Sequence, residues 1–487
     1  MKNTLQTLPF RLILLTALLI AGSASAAITR GPYLQLGTES SMVIVWRCDT
    51  VVSPVVKYGT AVDALTQTCP VENITIRTTT SEQPLHTAPE GTVQYEATLT
   101  GLRPNTTYYY SVSDGQTPLM TASKEFRFTT HPPIGTEKNT RIWVVGDSGT
   151  GGDGQKAVFK AQVEYTQQAG REIDLYMHLG DMAYGRGTDG EFQYNFFDIY
   201  QTMLRNTVCW PTIGNHEGLT SRGLLGTGPY YDAYVLPTQG EAGGLASSKE
   251  AYYSFDYGDI HFVCLDSFRH PRGTDEPMAL WLKEDLKATK AKWLIAFWHH
   301  PPYSNGSHDS NKDKRMTDMR KDFMPILEAA GVDLVLAGHS HSYERTMLID
   351  GAYHTPTHNH GVVLDDGDGD WQGHGAYHKS EGLTPRNGTV AIVAGHGAML
   401  GRTRAILPIM RTVMLKLGSV ILDVKGNTLS CFMLDAEGNQ VDPFQIVKEG
   451  TVKPKALENP WTPTNEDIIG TQPPRKPRPA QKAPSGQ

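Results

Sequence analysis

From Ala27 to about Pro133, apolar and polar positions alternate in short runs. "SMVIVWRC", "VVKYGT", "QYEATLTGL" and "TYYYSVSDG" each read as a strand, and "FRFTT" closes the set. This predicts an all-β unit over residues 27–133. The stretch from Leu102 to Tyr108 has the spacing of a tyrosine corner, in which a tyrosine hydroxyl bonds back to nearby backbone. "HPPIGTEKN" reads as a linker. Beyond it the pattern changes. Apolar runs such as "TRIWVVGDSG", "IDLYMHLGD", "WLIAFWHH" and "VDLVLAGHSH" alternate with helical stretches such as "GQKAVFKAQVEYTQQAG", predicting an α/β domain over residues 134–447. Residues 419–447 return to β character. The Pro- and Lys-rich stretch 448–487 has few apolar positions and is expected to be disordered.

The amino terminus reads as a secretory signal peptide, residues 1–26. Lys2 and Arg11 flank an apolar stretch, Leu12–Ile20, that is too short to span a bilayer stably. Ala24 and Ala26 form an A-x-A pattern, so cleavage is expected after Ala26. A secreted or periplasmic protein with no stable membrane anchor after cleavage is the expectation. The chain of 487 residues has a net charge of -7, so no global basic field draws in nucleic acid. Any phosphate-type substrate requires a local positive source. The 5 cysteines are too few and too scattered for a disulfide scaffold or a zinc finger. Export permits disulfides, and Cys48 with Cys69 is the plausible pair. Buried thiols are expected at Cys209, Cys264 and Cys431.

The chemistry collects where apolar runs end. "VVGD" ends in Asp147, "LGDMAY" supplies Asp181 and Tyr184, and "TIGNHE" supplies Asn215 and His216. "AFWHHPPY" supplies His299 and His300, and "LAGHSH" supplies His339 and His341. In α/β sheets, ligands gather outside the carboxyl ends of strands. One such junction is a commonplace turn, but five in order are a constellation. Carboxylates, an amide oxygen, imidazoles and a phenol suit hard or borderline metals rather than a thiolate site. A close pair of metals can clamp both oxygens of an in-line displacement at phosphorus.

The ordered motifs GD-x-G, GD-x-x-Y, GNH-E, H-x-P-x-Y and GH-x-H resemble those of the calcineurin-like metallophosphoesterases. The tyrosine and the preceding β unit narrow the resemblance to the purple acid phosphatases, over residues 28 to 447. It implies a fibronectin type III-like sandwich followed by a dimetal α/β catalytic domain. It further implies that Asp147, Tyr184 and His341 hold a ferric ion. Asn215, His299 and His339 would hold a divalent ion (Zn, Fe or Mn), and Asp181 would bridge the two. His299 is the ligand by its place before the x-Pro-x-Tyr stretch, and His300 packs beside it. His216 and His308 are implied as the catalytic and substrate-binding histidines.

The implied function is a secreted acid phosphatase that hydrolyses small phosphate monoesters through a metal-bound hydroxide. A phosphodiesterase or nucleotide pyrophosphatase using the same site is the alternative. A non-catalytic surface binding protein is a second, disfavoured because all seven ligand positions are filled. The Asp-, Gly- and His-rich insert 351–388 is expected to be a solvated loop bordering the cleft. Extra metal at Asp366, Asp368 and Asp370 is the minor reading there, since an EF-hand's glycine and distal glutamate are missing.

Overall fold

The structure, a computed structural model, describes residues 26–473. The signal-peptide expectation falls on residues 1–25 and lies outside the described residues, apart from Ala26.

The amino-terminal unit is a sandwich of two sheets. One is four-stranded, in the order Ile28–Gln35, Met42–Cys48, Val93–Leu99, Ile74–Arg77; the other is five-stranded and contains Pro54–Gly59 and Thr107–Asp114. Alternation in the last strand buries Tyr108, Tyr110 and Val112 together. The Tyr108 hydroxyl accepts the Arg103 N–H at 3.0 Å, so the tyrosine corner forms. Met42–Cys48 is buried along its whole length. Trp46 stacks on Tyr95, while the neighbouring Arg47 reaches the second domain. The expected Cys48–Cys69 bridge is absent, because both thiols are free and Cys69 Sγ is instead directed at the carbonyls of Pro70 and Thr98. Cys209, Cys264 and Cys431 are buried free thiols.

The second domain holds a seven-stranded and an eight-stranded sheet. In the first, Thr140–Val145, Leu175–His178 and Cys209–Pro211 run parallel. In the second, Ile260–Cys264, Trp293–Trp298, Leu334–Ala337 and Val390–Ala394 run parallel. The five motifs follow strands of these two parallel sets. These core strands are buried throughout and lack alternation, as parallel strands covered on both faces must be. Helix Asp153–Ala169 lies on the seven-stranded sheet, with Phe159 against Trp143 and Tyr165 against Phe432, and ends at Gly170 in the left-handed conformation.

The two domains share a buried ionic seam. Asp189 accepts from Arg30 at 3.2 Å and from Arg47 at 2.7 Å, and all three are nearly inaccessible to solvent. Asp232 accepts from Arg77 at 2.8 Å.

Two expectations are corrected. Residues 448–473 are not disordered. Ile468–Gly470 adds a parallel strand beside Met410–Leu415, and Arg411 lies over the Trp461 ring. The segment lacks a core of its own, and its order comes from backbone and ring contacts with the domain. Residues 474–487 lie outside the described residues. The insert 351–388 is only partly a solvated loop: many of its positions are exposed, but it is pinned to the domain. Tyr377–Lys379 pairs with Gln440–Lys448 as the edge strand of the seven-stranded sheet, and Arg345 donates to the Tyr377 hydroxyl at 3.0 Å and the Asp368 carbonyl at 2.9 Å. Its aspartates are occupied by backbone: Asp368 accepts from the N–H groups of Asp370 and His374, both at 3.0 Å, so no calcium is needed to satisfy it.

Candidate metal centre

Three of the five strand-end motifs make the same turn. Asp147, Asp181 and His339 have φ of 56°, 55° and 67°, in the left-handed region that non-glycine residues rarely enter. Such backbone costs about 1–3 kcal/mol per residue and persists where surrounding contacts enforce it. Here the turn swings the side chain out past the sheet edge. Close approach explains two adjoining glycines. A Cβ on Gly338 would collide with Asp147 Oδ2, and one on Gly214 with Asp181 Oδ1.

The side chains converge in two groups. In the first, the Tyr184 hydroxyl lies 3.1 Å from Asp147 Oδ1 and 3.2 Å from His341 Nε2, and His341 Nε2 lies 3.5 Å from Asp147 Oδ1. In the second, His299 Nε2 lies 3.0 Å from Asn215 Oδ1 and 3.4 Å from Asp181 Oδ2. Asp181 belongs to both neighbourhoods, because ligand atoms of Asp147, Asp181 and His299 all lie within 4.8 Å of one another. His339 stands beside the second group, its ring 5.0 Å from that of His299. Its Nε2 is buried with no hydrogen-bond partner. Buried oxygens and nitrogens packed this closely, with an unpartnered imidazole nitrogen among them, fit a pair of cations better than they fit each other.

His299 and His300 have different surroundings. His299 Nδ1 donates to the Leu179 carbonyl at 2.7 Å, which leaves Nε2 facing Asn215 and Asp181. His300 Nδ1 is 2.9 Å from Ser267 Oγ, and its ring lies 4.3 Å from that of His339. His300 also has a ligand atom within 4.8 Å of those of His299 and His339. His216 hydrogen-bonds the Gly185 carbonyl at 2.7 Å through Nδ1, and its ring rests 4.4 Å from that of Tyr184. His308 stacks on His339 at 3.8 Å.

The electrostatics follow from burial and from this crowding. Burial opposes the charge on Asp181, yet the facing His299 outweighs it and holds the carboxyl near 2. The same pair raises His299 against its own burial. Burial, reinforced by Asp147, pushes the Tyr184 phenol up. Burial, then neighbouring imidazoles, lowers His300, His308 and His339, favouring neutral rings. A cation would reverse the cost of a buried phenolate and suit neutral imidazoles.

One residue of the "GNHE" motif has a part that its spacing did not reveal. The buried Glu217 carboxylate accepts the backbone N–H groups of Asp181 at 2.8 Å, Gly214 at 2.9 Å and Ala183 at 3.1 Å. It ties two ligand-bearing turns together. Its position after the motif histidine is the only signal the chain offers, since all three partners are backbone atoms.

Comparisons with known proteins bear on the family and the fold. Residues 140–343 match the family model for calcineurin-like phosphoesterases. Residues 29–130 match that for the purple acid phosphatase N-terminal domain. The chain is 28% identical to a probable purple acid phosphatase of Arabidopsis thaliana, over 64% of this chain and 68% of that protein. It is 25% identical to an uncharacterized protein of Mycobacterium tuberculosis, over 79% and 72%. Among solved structures, a purple acid phosphatase from yellow lupin seeds superposes with a TM-score of 0.66 at 20% identity, covering 86% of this chain and 75% of that one.

Proposed function

Because the chain is a purple acid phosphatase-like member of the calcineurin-like metallophosphoesterases, a family of phosphoester hydrolases with a dinuclear metal centre, we propose that it is a secreted acid phosphatase acting on small phosphate monoesters. The observation that carries this reading is the pair of ligand groups joined at Asp181. In this reading Asp147, Tyr184 and His341 hold a ferric ion, and Asn215, His299 and His339 hold a divalent ion. Asp181 contributes to both. When bound, the two cations supply Lewis-acid charge at phosphorus and lower the pKa of water.

The remaining work belongs to the chain. His216 is oriented by the Gly185 carbonyl on Nδ1, so Nε2 is left to hydrogen-bond a phosphoryl oxygen or give a proton to the leaving oxygen. In the same reading His308, whose ring stacks on that of His339 at 3.8 Å, contacts the phosphoryl group. Glu217 keeps the turns of Asp181 and Asn215 in register. The signal-like amino terminus supports export. No helix among the described residues is long and apolar enough to cross a membrane.

Metal analysis of the purified protein, with rates on p-nitrophenyl phosphate and its bis ester, tests the proposal. Two metals per chain and faster turnover of the monoester are expected. Faster turnover of the bis ester would select the phosphodiesterase alternative. A metal-loaded protein inert on both esters would overturn the hydrolase reading.

A further inference from the structure

The motif that supplies His339 and His341 runs on as "SYER", and its Glu344 has no place in either ligand group. Glu344 is 2% exposed. It stands on strand Tyr343–Thr346, which is paired on both sides, with Val390–Ala394 and with Met410–Leu415. Its Oε1 accepts the Ser304 hydroxyl at 2.7 Å and the Ser342 hydroxyl at 2.8 Å. Burial raises the carboxyl, and donors from Ser304, Ser342, Ser340 and the Asn305 backbone oppose that rise.

These donors come from two segments. Ser340 and Ser342 alternate with the ligand histidines, while Ser304 and Asn305 open the loop that carries His308. The segments meet at further points. Ser304 Oγ lies 2.8 Å from Ser340 Oγ and accepts the Gly306 N–H at 3.2 Å. Ser307 Oγ accepts the His341 N–H at 3.0 Å. The neck of the loop is closed where the Ser310 N–H donates to the Ser304 carbonyl at 2.9 Å and the Ser304 N–H to Ser310 Oγ at 3.1 Å. The approach leaves no room for a side chain at position 306: a Cβ on Gly306 would come within 2.7 Å of Ser340 Oγ, Glu344 Oε1 and Ser342 Oγ.

We propose that Glu344 is a positioning residue for the hydrolysis: by gathering hydroxyls from both segments it fixes where the His308 loop stands against His339, and so the contact of His308 with the phosphoryl group. This rests on the reading in which His308 touches substrate. The two histidines of that reading are held differently. His216 is oriented by a hydrogen bond from its own ring to the Gly185 carbonyl. Among the described residues the His308 ring has only its ring contacts with His339 and His341, so its place depends on the backbone beneath it. That backbone hangs from a closed neck, and Glu344, on a strand paired on both sides, is the fixed point it rests on. A misplacement of about 1 Å in such a contact can cost about a hundredfold in rate.

A double-mutant cycle tests the role, on whichever of p-nitrophenyl phosphate and its bis ester the native enzyme turns over faster. H308A is expected to lose about tenfold in kcat/KM, E344A about tenfold, and the E344A/H308A double variant no more than H308A alone, because residues that act through one another are not additive. E344Q keeps one acceptor oxygen and should recover part of the loss. All variants should hold both metals. Orthophosphate affinity, read by calorimetry, should follow the same non-additive pattern, and amide exchange across residues 304–310 should quicken in E344A. If E344A fails to fold, S304A, which removes only the hydroxyl joining loop to carboxylate, takes its place in the cycle. An equal loss from E344A with and without His308, or loss of a metal from E344A, would overturn the positioning role and leave the hydrolase reading standing. A harmless H308A would overturn both the His308 contact and the role of Glu344. Native protein inert on both esters would overturn the hydrolase reading and this role with it.

Discussion

His299 Nδ1 is hydrogen-bonded to the Leu179 carbonyl at 2.7 Å, and this bond decides which ring nitrogen faces the cluster. A histidine that ligates a metal is commonly oriented through its other nitrogen. The adjoining His300 has no such backbone anchor for its ring and is turned toward Ser267 instead. His299→Ala should therefore lose one metal equivalent and at least about a hundredfold in activity, whereas His300→Ala should keep both metals. Elemental analysis of the two variants settles the matter, and the reverse pattern would exchange their roles.

Asp181 sits between the two ligand groups. Asp181→Asn keeps the shape but removes the charge that would hold two cations together. The variant is expected to bind less than one metal per chain and to be nearly inactive. Full occupancy with normal turnover would show that Asp181 does not bridge.

Tyr184 brings its hydroxyl within 3.2 Å of His341 Nε2. A phenolate bound to ferric iron absorbs visible light, so protein from iron-replete cells should be violet or pink. Tyr184→Phe should be colourless with an almost unchanged melting temperature, since only a hydroxyl is removed. Active, iron-free and colourless native protein would defeat the ferric assignment and leave the hydrolase reading intact.

The domain seam gives a stability prediction. Asp189 is the carboxylate shared by the buried guanidiniums of Arg30 and Arg47. Removing one partner of a buried ionic group leaves uncompensated charge and typically costs about 3–5 kcal/mol. Asp189→Ala should lower the denaturant midpoint accordingly, while replacement of an exposed carboxylate such as Glu284 should change it little. An unshifted midpoint would mean that water reaches the seam.

His261 lies buried between Asp256 at 2.7 Å and Asp285 at 2.9 Å. Burial opposes its positive charge, but the two carboxylates outweigh burial and raise its pKa to about 9. A folded-state pKa above the ordinary value of about 6.5 means stabilisation that is complete below that value and is lost as pH rises through about 9. The melting temperature should fall between pH 7 and pH 10, and His261→Gln should flatten that slope. An equal slope in both proteins would place the titration elsewhere.

Much of the site was legible in the chain because each motif is local. A buried strand, a glycine and a ligand residue are neighbours in sequence, so the motif can be read locally even though the left-handed turn at Asp147, Asp181 and His339 is enforced by surrounding contacts. Parallel strands then bring such turns to one edge regardless of distance along the chain. The sandwich was legible for a similar reason, since alternation and the Leu102–Tyr108 spacing report local geometry. What only tertiary structure decided depends on atoms remote in sequence. The Leu179 carbonyl selects the nitrogen of His299 across 120 positions. Glu217 acts through backbone N–H groups that carry no side-chain signature. The carboxyl-terminal segment is poor in apolar residues and looked disordered, yet a strand edge and the Trp461 ring give it order. Cys48 and Cys69 looked like a pair by domain, but Cys48 ends a buried strand and Cys69 directs its thiol at the carbonyls of Pro70 and Thr98.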